Sequence, residues 1–346
     1  MSQFAQRLLQ WFDRDGRHDL PWQHPRTPYR VWLSEIMLQQ TQVQTVIPYY
    51  ARFLDALPTL PDLAAADTDR VLALWAGLGY YARARNLHKA AQVCVAEHGG
   101  DLPADFEKLA ALPGIGRSTA GAILAQAHGQ RFPILDGNVK RTLARFHGIG
   151  GWPGGSAVEK AMWELAENHL PETRLADYTQ AIMDFGATLC TRHDPACMLC
   201  PLQDGCVARR EGRVEQLPEA KPGKPLPERR TLMLLVHDAG DRILLARRPA
   251  KGVWSGLWSL PEAGSHDEAR DFLSRHAPAA FDAGEALPLI EHVFSHYRLH
   301  IEPLRWRVAD SAAETGDNNE LRWQPRERLH ELGLPAPVKR LLGNLP

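Results

Sequence analysis

Residues 112–123 read LPGIGRSTAGAI, a glycine–apolar–glycine turn followed by a run of small residues. Gly114 and Gly116 have no Cβ, so the backbone can turn sharply and present its N–H groups outward. Outward N–H groups just before a helix suit a phosphate, and the small residues at 120–123 predict a helix that approaches its neighbour closely. An ordinary helix–turn–helix corner also fits these twelve residues.

The composition sets broad limits on the class of protein. The chain has 346 residues, 44% hydrophobic and 23% charged, enough for two or three globular domains. Its formal net charge is -1, so any attraction to nucleic acid must come from local basic patches. The amino-terminal residues lack the apolar core of a signal peptide, and no run of about 20 apolar residues follows. We therefore expect a soluble, cytoplasmic protein without a membrane segment.

A change in sequence pattern divides the chain. Residues 1–212 carry apolar stripes at helical spacing. Residues 213–229 contain four prolines and mixed charge, which is typical of an extended linker. In residues 230–346, TLMLLVH and RILLAR flank DAGD as a predicted hairpin, and RLHIEPLRW alternates like a strand. The fold class expected is multidomain, with an all-α region followed by an α+β domain.

Four of the five cysteines follow the spacing Cys190-x6-Cys197-x2-Cys200-x5-Cys206. Two thiolates at x2 spacing can hold one ion from a single turn, and the flanking cysteines can complete a four-sulfur shell. The spacing alone leaves zinc open as the metal, whereas a disulfide pair is less suited to a cytosolic chain. The fifth cysteine, Cys94, is expected to be a core thiol.

Two carboxylates are candidates for acid–base chemistry. Thr27 and Pro28 predict the start of a helix in which Glu35 faces the apolar side. Desolvation there raises a carboxyl pKa from about 4.3 towards 6–7, which suits a general acid. A buried glutamate paired with an arginine is the alternative. Asp136 precedes a second predicted helix and by itself fits a helix N-cap.

The order of these features resembles the endonuclease III superfamily of DNA glycosylases, in which a helix–hairpin–helix is followed by a C-x6-C-x2-C-x5-C loop. The resemblance implies that the hairpin at 112–123 contacts DNA and that Asp136, which follows LPGIG, is catalytic. It also implies that the loop at 190–206 binds a structural four-iron four-sulfur cluster rather than zinc. The expected ligands of this cluster are Cys190, Cys197, Cys200 and Cys206.

The stretches SEIMLQQTQV, GLGYYARARNLHKAA, LPGIGRSTAGAI and ILDGNVKR together are similar to the adenine-specific mismatch glycosylases, the MutY branch of that superfamily. This resemblance implies base excision repair of adenine opposite 8-oxoguanine or guanine, with the adenine flipped out of the duplex. Glu35 would protonate adenine at ring nitrogen 7, and Asp136 would stabilise the oxocarbenium-like sugar. Asn138 would orient the acid or the water.

The resemblance also implies contacts with DNA. Tyr80 resembles a side chain that wedges beside the opposite base, although core packing is the alternative. Bifunctional relatives carry a lysine where this chain has Ser118, so we expect hydrolysis by water. Lys140 resembles a lysine that can react with the product. The other residues assigned to DNA contact are Gln40, Thr41, Leu78, Gly114 and Gly116. Arg83, Arg85 and Lys89 are candidate phosphate contacts or exposed helix charges.

Residues 230–346 are similar to the MutT-like domain, with a Nudix fold, that is appended to these glycosylases. A hydrolytic Nudix box follows the pattern G-x5-E-x7-R-E-x2-E-E, and this chain has Gly256, Glu262, Arg270 and Asp271 at that spacing. Ser274 and Arg275 stand where the paired glutamates belong, so we expect no divalent-ion cage. The resemblance implies that this domain recognises 8-oxoguanine through Ser295 and His296. A solvated strand end is the alternative for these two residues.

Three other functions compete with this interpretation. A bifunctional pyrimidine-lesion glycosylase is opposed by Ser118 and by the second domain. A non-catalytic DNA-binding protein is opposed by the presence of both Glu35 and Asp136, and a Nudix hydrolase by Ser274 and Arg275. We therefore expect a monomeric adenine DNA glycosylase whose partner is duplex DNA with adenine opposite 8-oxoguanine or guanine.

Overall fold

The computed structural model describes residues 1–223, 225–249, 251–277, 284–308 and 320–344. The chain forms two compact units, one of Met1–Ala65 with Asn86–Gly223 and the other of Ala66–Arg85 with Lys224–Pro346. The sequence predicts residues 66–85 as part of the helical region of residues 1–212. In the structure this segment groups with the carboxy-terminal unit.

The α-helices are α1 Gln3–Asp15, α2 Pro28–Leu38, α3 Val43–Ala56, α4 Leu60–Ala65, α5 Thr68–Trp75, α6 Ala82–Glu97, α7 Phe106–Ala110, α8 Arg117–His128, α9 Gly137–His147, α10 Ser156–His169, α11 Leu175–Thr188, α12 Val207–Arg210, α13 His266–His276 and α14 Ala336–Gly343. Helices α5, α13 and α14 belong to the second unit, and α6 begins there and continues into the first. Among the residues described, no helix is both long and apolar enough to cross a bilayer.

The first unit packs helices around an apolar core. Stripes from α1, α9, α10 and α11 meet there, with Leu8, Leu143, Met162 and Phe185 buried. These side chains recur at three- and four-residue spacing, as expected for amphipathic helices. Helix α11 approaches the start of α9 so closely that a Cβ on Gly186 would lie only 2.6 Å from the Cβ of Asn138. Glycine at this position therefore sets the distance between the two helices.

The stretch at 112–123 forms the predicted hairpin between α7 and α8. Gly114 has a φ of 79°, a conformation that favours glycine. The predicted close approach of the following helix is confirmed, since a Cβ on Gly121 would lie 2.5 Å from the Pro133 carbonyl oxygen. The hairpin thus brings α8 directly against the segment that leads into α9.

The second unit contains a mixed sheet. Its strands are β1 Glu228–Asp238, β2 Arg242–Arg247, β3 Trp258–Ser259, β4 Glu262–Ala263, β5 Glu285–Ala286, β6 Ile290–Val293, β7 Arg298–Val308 and β8 Leu321–Pro325. The main order is β3-β2-β1-β7-β5, with β4 beside β1, β6 beside β7 and β8 beside β2. Strands β1 and β7 are parallel and the other pairs are antiparallel. The predicted hairpin and the predicted strand at RLHIEPLRW are both confirmed.

Helices cover both faces of this sheet. Side chains of β1 alternate between the faces, as the strand repeat of two requires. Met233 and Leu235 pack in a cluster with Val338 of α14. Leu234 packs in the other cluster with Leu273 of α13. The α+β architecture expected from the sequence is therefore a helix–sheet–helix sandwich.

Candidate functional site

The local sequence places Glu35 on the second helix. Thr27 caps that helix by accepting a hydrogen bond from the Arg30 backbone N–H at 3.3 Å, and Pro28 is its first residue, as predicted. Glu35 is half-buried two turns later. Its Oε1 accepts a hydrogen bond of 3.0 Å from Nε2 of Gln126, a buried residue of α8. In the part of the chain that the structure describes, this partner is an amide and not the arginine considered as the alternative.

The surroundings of Glu35 favour its protonated form. Burial and, to a smaller extent, the negative charge of Asp136 raise the pKa of Glu35 to about 7. The hydrogen bond from Gln126 acts in the opposite direction, because it stabilises the carboxylate. The pKa of Glu35 is therefore close to neutral pH, where a carboxyl can both keep and transfer a proton.

Asp136 both caps a helix and carries a charge that acts on Glu35. As the N-cap of α9, its Oδ1 accepts a hydrogen bond of 2.8 Å from the Val139 backbone N–H. Burial raises the pKa of Asp136, whereas the backbone N–H groups of α9 and the Arg141 guanidinium lower it. The helix N-cap expected as the alternative role of Asp136 is present in the structure, and its catalytic role stays a prediction.

Helix α8 holds the residues just before Asp136. The Ser118 hydroxyl accepts a hydrogen bond of 2.9 Å from the backbone N–H of Leu135, which is buried. Gly121, on the same helix, permits contact with the Pro133 carbonyl. Ser118, which the sequence analysis assigned to DNA contact, thus has an internal partner. Its described role is to fix the chain immediately before the carboxylate.

Arg141 joins the start of α9 to the cysteine loop. Its Nη2 donates to Asn138 Oδ1 at 2.9 Å, and its Nε donates to the Cys190 carbonyl at 2.8 Å. A third bond goes to the carbonyl of Gly186. Neither Arg141 nor Gln126 is among the residues predicted from the sequence. The available signal for Arg141 was its position three residues after Asn138, which places both side chains on one helix face.

The four predicted ligands share one cavity. Cys190, Cys197, Cys200 and Cys206 all line it, and none of the four is in a disulfide. Burial raises the pKa of Cys200 to about 12. Among the described residues, no three cysteine, histidine or acidic groups are arranged to hold a single metal ion. The thiols therefore surround a common space without closing on one point.

Arg145 supports the cysteine loop from α9. It is buried, and its Nη1 donates to the Thr191 carbonyl at 2.6 Å while its Nη2 donates to the Arg192 carbonyl at 3.1 Å. Its Nη1 also lies 3.5 Å from the Cys190 sulfur. The Arg145 guanidinium thus lies beside a predicted ligand of the cluster.

The residues assigned to DNA contact differ in exposure. Tyr80 is 53% exposed with a φ of 49°, and Gln40 is exposed with a φ of 56°. A non-glycine residue in this left-handed region is uncommon and is often functional. Leu78 is buried, and the Thr41 hydroxyl donates to the Gln39 carbonyl at 3.4 Å. The exposure of Tyr80 does not fit the alternative of core packing, whereas Leu78, which was predicted to contact DNA, is buried.

Several basic residues have partners inside the protein. Lys140 Nζ lies 2.6 Å from Glu159 Oε1. Arg83 donates to the carbonyl groups of Leu78 and Gly79, and Arg85 donates to that of Ser255. Arg83 and Arg85 thus donate to backbone carbonyl groups of the protein, whereas the sequence had made them candidates for phosphate contact. Lys89 is exposed, as are Gly114 and Gly116 at the hairpin.

Ser295 and His296 are exposed on the turn between β6 and β7. The turn is closed by a 2.9 Å hydrogen bond from the Phe294 N–H to the Tyr297 carbonyl, and the two rings lie 4.7 Å apart. In the remnant Nudix box, Glu262 pairs with Arg248 at 2.6 Å. The Ser274 hydroxyl and the Arg275 Nε both donate to the Asp271 carbonyl.

Comparisons with known proteins agree with this arrangement. Residues 33–168 match the HhH-GPD superfamily base excision DNA repair proteins, and residues 232–344 match the NUDIX domain family. The chain is 37% identical to the adenine DNA glycosylase of Buchnera aphidicola from Acyrthosiphon pisum, over 99% of this chain and 97% of the relative. It is 34% identical to the adenine DNA glycosylase of Homo sapiens, over 99% of this chain and 73% of the relative.

Solved structures support the fold of the first unit. A thermostable thymine-DNA glycosylase matches with a TM-score of 0.54 and 28% identity, over 60% of this chain and 95% of that protein. An endonuclease III in a non-covalent DNA complex matches with a TM-score of 0.52 and 22% identity, over 60% of this chain and 94% of that protein. The chain therefore belongs to the adenine DNA glycosylase family, enzymes of base excision repair that hydrolyse N-glycosyl bonds of DNA.

Proposed function

We propose that this enzyme removes adenine lying opposite 8-oxoguanine or guanine in duplex DNA, and that it does so as a monomer without strand cleavage. The observation that carries the catalytic part is the pair formed by Glu35, with a pKa of about 7, and Asp136, whose charge acts on it. Departure of adenine needs a proton donor on the base and a negative charge near the sugar. These two carboxyl groups supply both.

In the proposed reaction, Glu35 donates its proton to ring nitrogen 7 of the flipped adenine, so that the base leaves as a neutral group. The Asp136 carboxylate then stabilises the positive charge that develops on the sugar. Asn138, held by Arg141 through the 2.9 Å hydrogen bond, orients the acid or the attacking water. Water then attacks the sugar cation, and the proton that the water loses returns to the Glu35 carboxylate, directly or through solvent, which restores the acid.

Two observations support hydrolysis over a lyase step. The hairpin position that bears an amine in bifunctional relatives is Ser118, whose hydroxyl is bonded to Leu135. The amine of Lys140 is paired with Glu159. A Schiff base needs a free, unprotonated amine at the sugar. We therefore infer that strand breaks appear only after alkali treatment of the abasic product.

The cysteine loop fits a four-iron four-sulfur cluster. Four thiols that line one cavity supply the four sulfur ligands that such a cluster requires. Cys190, Cys197, Cys200 and Cys206 would hold it, and its contribution would be structural, as a cross-link of the loop. Arg145 and Arg141 join that loop to α9. Such thiolate ligation fits a reducing compartment, so we include a cytoplasmic location in the proposal.

We propose that the second unit recognises the base opposite adenine. Ser295 offers an exposed hydroxyl that can donate and accept a hydrogen bond. 8-Oxoguanine differs from guanine by an oxygen at position 8 and a hydrogen on ring nitrogen 7, so such a group can distinguish them. Glu262 is paired with Arg248 and the paired glutamates are replaced, which argues against Nudix hydrolysis.

The test uses duplexes with adenine opposite 8-oxoguanine, guanine or thymine, assayed for base release with and without alkali. Release is expected from the first two, with strand breaks only after alkali. Glu35→Gln is the matched control, because it removes the transferable proton and keeps the size of the side chain. Absence of release from all three duplexes would overturn the proposal.

A further inference from the structure

Residues 66–85 are anchored to the sheet of the second unit by an acidic side chain. Asp69 of α5 places Oδ1 2.9 Å from Nη2 of Arg247 on β2. Its Oδ2 lies 3.5 Å from Nε1 of Trp258 on β3. The Arg247 guanidinium also lies over the Trp258 ring, 5.4 Å from its centroid. One carboxylate thus ties helix α5 to two adjacent strands.

Further contacts fasten the same segment along its length. The Tyr81 hydroxyl donates to the Leu334 carbonyl at 3.2 Å, and Arg85 donates to the Ser255 carbonyl. A Cβ on Gly333 would lie 3.0 Å from the Cβ of Leu72. These contacts lie before and after residues 76–80, so both ends of that turn are fixed within one compact unit.

The turn itself is held by two donors from its own segment. Trp75 Nε1 donates to the Gly79 carbonyl at 3.1 Å. Arg83 Nη2 donates at 3.2 Å to both the Leu78 and Gly79 carbonyls. These hydrogen bonds hold the backbone next to Tyr80. The backbone of Tyr80 is in the left-handed region, with a φ of 49°, and its aromatic side chain is half exposed. A strained residue keeps such a conformation only where its surroundings determine it fully.

We propose that residues 66–85 are a positioning segment through which the second unit fixes Tyr80, and that Asp69, Tyr81 and Arg83 thereby help to select the base opposite adenine. This inference rests on the proposed function. An exposed ring can stack on or wedge between bases. A ring already fixed in position loses less conformational freedom on doing so. Tyr80 and the exposed Ser295 therefore act from a single folded unit on one lesion.

The experiment is a double-mutant cycle on the intact enzyme. Tyr81→Phe removes one hydrogen bond and Asp69→Asn removes one charge, and each is measured alone and in a Tyr80→Ala background. The readouts are the ratio of affinities for adenine opposite 8-oxoguanine and opposite guanine, and the fluorescence of 2-aminopurine placed beside the 8-oxoguanine. We expect each single variant to narrow the ratio by about threefold to tenfold and to lower the fluorescence change on binding.

In the Tyr80→Ala background the anchoring changes should have no further effect, because they act through that ring. Glu285→Gln is the control, since it breaks the Arg305 pair of the same unit away from residues 66–85. The inference is overturned if Tyr81→Phe and Asp69→Asn leave the ratio of affinities unchanged. It is also overturned if their effects add to that of Tyr80→Ala, or if Glu285→Gln narrows the ratio equally. Failure of the wild-type enzyme to release adenine would instead overturn the proposed function.

Discussion

Replacing Gln126 by methionine tests whether Glu35 is the acid. Methionine keeps the length and the burial of the side chain but cannot donate a hydrogen bond. Gln126 donates at 3.0 Å to Glu35 and lowers the pKa of that carboxyl, which burial and Asp136 raise to about 7. Without the donor, the carboxylate loses stabilisation and the pKa of Glu35 rises.

The size of the change follows from the kind of hydrogen bond. A bond to a charged group contributes about 1.5–3 kcal/mol, and one pKa unit corresponds to about 1.4 kcal/mol. The pKa of Glu35 should therefore move from about 7 to about 8–9. At pH 8 the protonated fraction rises from about one tenth to more than about half, so base release relative to its plateau increases about fivefold to tenfold.

The assay is single-turnover base release from pH 5 to pH 9.5. Because protonated Glu35 is the active form, the rate falls as pH rises through its pKa, and the variant should show this fall at higher pH. Gln130→Met is the control. Gln130 lies just after α8, and its side chain donates to the Ala104 carbonyl at 2.9 Å and not to Glu35. If the fall in the rate of base release occurs at the same pH in the variant, or at a lower pH, Glu35 is not the acid.

Glu35→Gln gives an independent check on the fold. Raising the pKa of Glu35 from 4.5 to about 7 means that the folded state holds the proton more tightly than the unfolded chain. The associated stability is full below pH 4.5 and is lost as pH rises to about 7, by up to about 3 kcal/mol. The variant should therefore lose base release while gaining free energy of unfolding at pH 8, measured by urea denaturation.

Three further predictions concern other parts of the first unit. Gly186→Ala should slow single-turnover base release by about tenfold to hundredfold, because its Cβ would displace Asn138; an unchanged rate would contradict the role of this packing. Metal analysis should find about four irons and four sulfides per chain, with loss of both in Cys200→Ser; stoichiometric zinc without sulfide would contradict it. Burial lowers the pKa of His169 to about 4, and its Nε2 lies 2.8 Å from Nε2 of His147. Stability from His169 is thus full above about pH 6.5 and is lost as pH falls to about 4, and His169→Phe should flatten this acid dependence in urea denaturation.

The sequence was most informative where function depends on neighbours along the chain. The hairpin with its close helix, the capped start of α2 and the strand pair of the second unit all follow from local rules. The orientation of Glu35 towards apolar residues follows from helix geometry. These features could be predicted because each is determined within one or two turns.

The features that the sequence left out depend on distant contacts. Gln126 donates a hydrogen bond to Glu35, although the two residues are 91 positions apart in the sequence. Arg141 donates to the Cys190 carbonyl, which is 49 positions away. No periodicity indicates such pairs. The association of residues 66–85 with the second unit had the same cause, because Asp69 and Arg247 are 178 positions apart. Helical spacing places that segment in the predicted helical region of residues 1–212.

The hydrogen bond between Ser118 and Leu135 limits how easily this enzyme could be converted into a lyase. Lysine at position 118 would add an amine, but it would also remove the acceptor of a buried backbone N–H. An unsatisfied buried donor costs about 1–3 kcal/mol. Engineering, and divergence in nature, would therefore require a second substitution that supplies an acceptor before the new chemistry could operate without loss of stability.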